Sequence, residues 1–137
     1  LIQAGESPII FGDGRQTRDF TNVEDTVRGL IAAAECDLLL GDSVNLAHGV
    51  EVSVIELIDL IGEITGRQVA ARHVPARPGD IRRLGCDVRK FQRVLGIRAA
   101  IPIREGLARY LAWLSSQGMD FGKTAKLLTA QNWNEAP

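Results

Sequence analysis

The sequence predicts a small α/β lobe that docks on something larger. Short apolar runs bounded by glycine or proline alternate with stretches of helical periodicity. The strand-length runs are few and short, too little for a self-sufficient doubly wound sheet. The helical stretches carry clear start and stop signals.

Ser7 to Phe11 holds the run Pro8-Ile9-Ile10-Phe11, stopped by Gly12-Asp13-Gly14, and reads as a strand entering a turn. Thr17 to Asn22 is a second short strand. Asn22 is placed to cap a helix, with Glu24 and Asp25 in the first turn where the helix dipole favours them. Val23, Val27, Leu30, Ile31 and Ala34 share one helical face. Asp42 to Ala47 reads as a buried strand through Val44 and Leu46. Ser53-Val54-Ile55-Glu56 fits a capping box, and Leu57, Ile58, Ile61 and Ile64 form the stripe of the helix it opens. Gly66 is its stop. Gln68 to Val74 is read as a strand, and Pro75 and Pro78 bracket a loop. Asp87 caps a short helix through Leu95, ending at Gly96. Pro102 opens the last clear helix, with Ile103, Leu107, Leu111 and Leu114 on one face and Trp113 at its edge. Leu127 and Leu128 suit one more helical turn, and Gln131 to Pro137 a frayed tail. Residues 1–118 are therefore taken as the lobe and 119–137 as a tail of unassigned role.

Composition bounds the function. The chain has 137 residues, 45% hydrophobic and 24% charged, as in ordinary globular domains. A net charge of −1 gives no global field toward nucleic acid or an anionic membrane, and neither is expected as a partner. Thirteen of the sixteen cations are arginine. That bias suits planar anion recognition, and GC-rich coding also produces it. Cys36 and Cys86 match no metal spacing and read as buried or half-buried thiols in a reducing cytoplasm. No apolar run reaches the roughly 18 residues of a membrane span. Leu1 to Gly5 does not read as a signal peptide, and the missing initiator methionine suggests a piece of a longer chain.

Two segments carry the chemistry: Phe11 to Phe20, and Arg77-Pro78-Gly79-Asp80. Each joins a glycine turn to an arginine and an aspartate. An arginine fork can hold phosphate bidentately, and a carboxylate can accept from sugar hydroxyls. Each also has a plainer reading. Arg18 can pair with Asp19 or Asp13. Arg77 to Asp80 can be a Pro-Gly type II turn, with Asp80 capping the next segment. Gly12-Asp13-Gly14 is half of a dinucleotide fingerprint with no helix directly after it, and is treated as a turn. His48 and His73 have no Cys, Asp or Glu at ligand spacing, and no serine sits in a nucleophile elbow. Arg82-Arg83 reads as a solvated patch that helps a nearby phosphate. Tyr110 is the single tyrosine, and Leu114 stands where a catalytic Tyr-x-x-x-Lys pair needs lysine.

The run from Phe11 to Asp25 resembles the post-catalytic segment of the extended short-chain dehydrogenases, the NAD-dependent nucleotide-sugar epimerases and dehydratases. Asn45-Leu-Ala-His-Gly49, the capping-box helix, Arg77-Pro-Gly-Asp-Ile-Arg82 and the two closing helices appear in matching order. Gln16 to Phe20 with Arg77 to Asp80 is most similar to members of the UDP-glucose 4-epimerase type. The resemblance implies the substrate-binding lobe of such an enzyme, its Rossmann domain missing. It implies that Arg18 and Arg77 contact the diphosphate and Asp80 the ribose hydroxyls, with Ile10 and Phe11 near the base and Val44 beside it. NAD serves the full-length family and is not expected to bind this chain alone. A UDP-sugar or similar nucleotide-sugar is the expected ligand, and a homo-oligomer or docking on a Rossmann domain the expected assembly. The rival expectation is a stand-alone, non-catalytic nucleotide-sugar-binding or oligomerising module.

Overall fold

The structure is a computed structural model and describes residues 1–67 and 70–127. After a 3-10 turn, Ile2–Ala4, come strands β1 (Ile9–Phe11) and β2 (Thr17–Asp19), then helix α1 (Val23–Ala34) and a second 3-10 turn, Asp37–Leu39. Strand β3 (Glu51–Ser53) runs into α2 (Val54–Thr65). Strands β4 (Arg72–Val74) and β5 (Arg83–Leu84) precede α3 (Arg89–Leu95), α4 (Ile103–Ser116) and α5 (Phe121–Leu127). Two small sheets result. β1 pairs in parallel with β4, Phe11 opposite Val74. β2 is the centre of the other sheet, antiparallel to β3 and parallel to β5. This is the small α/β fold that the sequence predicts.

Local chemistry explains the helix starts. The Asn22 side chain accepts from the Glu24 N–H at 2.8 Å. The Ser53 hydroxyl accepts from the Glu56 N–H at 3.2 Å, and Glu56 accepts from the Ser53 N–H at 2.8 Å, a complete capping box. Gly66 and Gly96 close α2 and α3, and Pro102 precedes α4.

Three sequence expectations need correction. Residues 42–47 form no strand but an irregular loop. Polar bonds from outside any ladder pin it: Lys90 Nζ donates to Asp42 Oδ1 at 2.6 Å and to the Ser43 carbonyl at 2.7 Å. Strands β3 and β5, too short to carry a pattern, form instead beside β2. The expected strand over 68–74 is formed over Arg72–Val74, with 68 and 69 outside the described residues. Cys36 is half-buried, but Cys86 is exposed, because it follows the edge strand β5.

α1 turns its small and polar side inward. Asp25 and Gly29 are its buried residues. A Cβ at Gly29 would lie 2.1 Å from Leu46 Cδ1 and 3.2 Å from Phe91, so only glycine lets the helix approach this closely. The apolar stripe faces out: Val23 is 70% exposed, Leu30 62% and Ile31 55%. The buried apolar residues are few: Ile2, Ile10, Ala47, Phe91 and Ala125 among the described residues. Ala125 belongs to α5, which packs against the opening 3-10 turn. The remainder of the tail, 128–137, lies outside the described residues. No helix among the described residues is long and apolar enough to cross a membrane.

Candidate functional site

Strand direction brings the two arginine-bearing segments together. The turn 12–14 links β1 to β2, and the loop 75–82 links β4 to β5. Because β1 runs parallel to β4 and β2 to β5, both connections leave their sheets at the same end. The Gly12 N–H donates to the Val74 carbonyl at 2.9 Å, and the Thr17 N–H to the Arg82 carbonyl at 3.0 Å. His73 Nδ1 lies 2.8 Å from the Gly12 carbonyl. Gly12 has φ +75°, where a side chain is strained.

Side chains then cross between turn and loop. Arg18 Nη2 donates to Asp80 Oδ1 at 2.8 Å. Arg18 Nη1 donates to the carbonyls of Ile81 at 2.7 Å and Thr17 at 2.8 Å. Arg82 Nη1 donates to Asp13 Oδ1 at 2.6 Å. That bond, with the Arg15 N–H, pulls the Asp13 carboxyl down to about 2. The Arg77 guanidinium carbon sits 4.1 Å from the centroid of the Phe11 ring. The Asp80 N–H returns to the Arg77 carbonyl at 3.3 Å across a turn in which Gly79 has φ +74°. The turn and the loop thus bring Arg18, Arg77 and Arg82 to the same end of the strands, Arg18 paired with Asp80 and Arg82 with Asp13.

Ile10, one position before Phe11, is 2% exposed and packs toward Gly14. Val44 is half-buried in the loop 40–50. That loop is tied to α3 by Lys90 and to β2 by Asp19. Arg82 and Arg83 are solvent-exposed, as expected, and each also pairs with a carboxylate: Arg82 with Asp13, and Arg83 Nε with Glu51 at 2.7 Å.

A family model described as GDP-mannose 4,6-dehydratase matches residues 1–110. The chain belongs to that family. An uncharacterized UDP-glucose epimerase of Bacillus subtilis (strain 168) is 34% identical over 107 residues, covering 78% of this chain and 34% of its own. A putative UDP-glucose 4-epimerase of Methanocaldococcus jannaschii is 36% identical over 111 residues, 81% of this chain and 35% of its own. Among solved structures, the Thermotoga maritima UDP-glucose 4-epimerase with UDP-glucose superposes with a TM-score of 0.79 at 30% identity, over 86% of this chain and 38% of that one. MoeE5 in complex with UDP-glucuronic acid and NAD gives 0.75 at 40% identity, over 85% and 40%. This member of the dehydratase family thus spans about a third of the length of those curated relatives.

NAD does not fit the described residues of this family member. A pyrophosphate cradle needs a glycine turn opening a helix. Here the turn 12–14 leads into strand β2. Tyr110 stacks on Trp113, ring centroids 5.9 Å apart, and is 53% exposed.

Three aspartates that the sequence places locally take partners far along the chain, and Arg18 pairs with neither Asp13 nor Asp19 but with Asp80. Asp19 accepts from the N–H groups of His48 at 3.0 Å and Gly49 at 2.7 Å, and so anchors the 40–50 loop beside Arg18. Asp25 accepts from the N–H groups of Ala100 and Ile101 at 2.9 to 3.1 Å, and from Arg28. Asp13 meets Arg82 across 69 positions. Each sits in a segment the sequence singles out, but its partner is remote in the chain.

Proposed function

We propose that this lobe holds the nucleoside diphosphate of a UDP-sugar, as the substrate-binding part of an NAD-dependent epimerase of the UDP-glucose 4-epimerase type. The observation that carries this reading is the joining of Arg18 to Asp80 at 2.8 Å, on the loop that also bears Arg77. Arg18 and Arg77 hold the diphosphate oxygens and Asp80 accepts from the ribose hydroxyls. The base lies toward Ile10 and Phe11, with Val44 beside it. The Arg18–Asp80 bond keeps the phosphate and ribose groups in register before ligand arrives, which lowers the ordering cost of binding. The UDP-sugars named with the Thermotoga maritima and MoeE5 structures support the ligand class. NAD and the reacting groups belong to the part of the enzyme that lies against this lobe.

Calorimetry with UDP tests the reading. Each charge-assisted bond is worth about 1.5–3 kcal/mol, so Arg77→Ala should weaken UDP by roughly ten- to a hundredfold. Arg18 also holds the loop at Ile81, so Arg18→Lys, which keeps the charge, accompanies Arg18→Ala. Unchanged UDP affinity in both alanine variants would refute the assignment.

A further inference from the structure

Glu51 reaches across three strands. It stands on β3 opposite Asp19 of β2. Its Oε2 accepts from the Thr17 hydroxyl at 2.6 Å, and its two oxygens accept from Arg83 Nε of β5 at 2.7 and 2.9 Å. The Thr17 and Arg83 bonds hold the Glu51 carboxyl below the usual range, so it is charged at neutral pH. Gly85 follows β5, and a Cβ there would lie 2.6 Å from Glu51 Oε1, so glycine leaves the room that the carboxylate takes. β5 has two residues, and so short a strand does not fix its own register. Side chains alternate between the faces of a strand, so Thr17, Glu51 and Arg83 share one face of the sheet and Arg18 lies on the other. The register set on the first face decides what Arg18 meets beyond the second: the Ile81 carbonyl at 2.7 Å and Asp80 at 2.8 Å. A slip of one residue would carry β5 about 3.3 Å along β2, further than the 2.8 Å of the Arg18–Asp80 bond. With Arg83 79% exposed, its pair with Glu51 adds little stability, and its effect is on register.

We propose that Glu51 is a positioning residue for the nucleotide: bound to Thr17 and Arg83, it sets the β2–β5 register that brings Asp80 to Arg18. This rests on the nucleoside-diphosphate reading above. Glu51 touches no ligand and acts on the ribose through the place it gives Asp80.

The test compares UDP with 2′-deoxy-UDP on the 137-residue chain by calorimetry, and follows amide exchange at Thr17 by NMR. The Thr17 N–H donates to the Arg82 carbonyl at 3.0 Å, so its protection reports the β2–β5 pairing without ligand. Glu51→Ala should weaken UDP roughly two- to fivefold, weaken 2′-deoxy-UDP less, and speed exchange at Thr17. Gly85→Ala keeps the charge but displaces the carboxylate, the far end of a flexible side chain, and should do the same. Added to Glu51→Ala, Gly85→Ala should do nothing more, since the obstruction is gone. In an Asp80→Ala background, Glu51→Ala should no longer change the ratio of the two affinities. No loss, equal losses for the two ligands, or unaltered exchange at Thr17, in either single variant, would overturn the inference. So would a further loss from Gly85→Ala in the Glu51→Ala background, or a changed ratio in the Asp80→Ala background. If Glu51→Ala strips the Thr17 amide of its protection but the parent chain does not bind UDP, the nucleoside-diphosphate reading itself falls and takes the nucleotide role of Glu51 with it. That result differs from every outcome in which UDP binds and only the variants depart from expectation.

Discussion

Asp80 and Asp25 show what one carboxylate does in two surroundings. Asp80 is partly exposed, its side chain 27% accessible, and bonds Arg18 with a single oxygen. The same group can accept from vicinal ribose hydroxyls, so Asp80→Ala should weaken UDP more than 2′-deoxy-UDP. Calorimetry with both ligands checks this, and an equal loss for the two would leave Asp80 as a loop cap only. Asp25 has a fully buried side chain. Burial acts to raise its pKa, but the N–H groups of Ile101 and Ala100 and the charge of Arg28 outweigh burial and hold it below the usual carboxylate range. A folded pKa below the unfolded value of about 3.9 means that the unfolded chain binds the proton better. The stabilisation is therefore complete above about pH 4 and is lost as the pH falls through the folded value. Asp25→Asn should cost about 2 kcal/mol at pH 7, since a charged acceptor is lost, and should flatten the acid limb of stability. Denaturant midpoints between pH 2 and 7 measure both, and an unaltered acid limb would show that other carboxylates dominate it.

α1 is the element whose amphipathicity and burial disagree. Its inward face is Asp25 and Gly29, and its Val23, Val27, Leu30 and Ile31 stripe meets solvent. Helix starts and stops were legible in the sequence because their bonds span two or three residues, as with Asn22 and Glu24 or Ser53 and Glu56. Periodicity likewise revealed the stripe of α1, but periodicity does not say what covers a stripe. The strands β3 and β5 were illegible because segments of three and two residues owe their form to a neighbour far along the chain. The site was half legible. Glycine turns and arginines marked its two segments, while the bonds of Arg82 to Asp13 and Arg18 to Asp80 depend on parallel pairing that no local pattern encodes. An exposed stripe of this kind commonly marks an interface. The rest of a longer enzyme, or a second copy, is proposed to cover it. The 137-residue chain should therefore associate at micromolar concentration, and Leu30→Lys should disperse it without changing its helical circular dichroism. Light scattering decides, and a clean monomer of the parent chain would show that the stripe tolerates water.

At the scale of the whole molecule, the cluster formed by the turn and the loop has an unusual relation to the order of the chain. Arg18 meets Asp80 across 62 positions and Ile81 across 63, Asp13 meets Arg82 across 69, and His73 meets Gly12 across 61. Both parallel strand pairs that carry the cluster span the same stretch. Closing a loop of that length takes chain entropy that no neighbouring turn repays, and folding slows as contacts become less local. α1 and α2 can form from their own caps, yet neither contributes an arginine to the proposed site. The site proposed on Arg18, Arg77 and Asp80 therefore waits on long-range closure, and a nucleotide seated there would tie together two segments 62 positions apart.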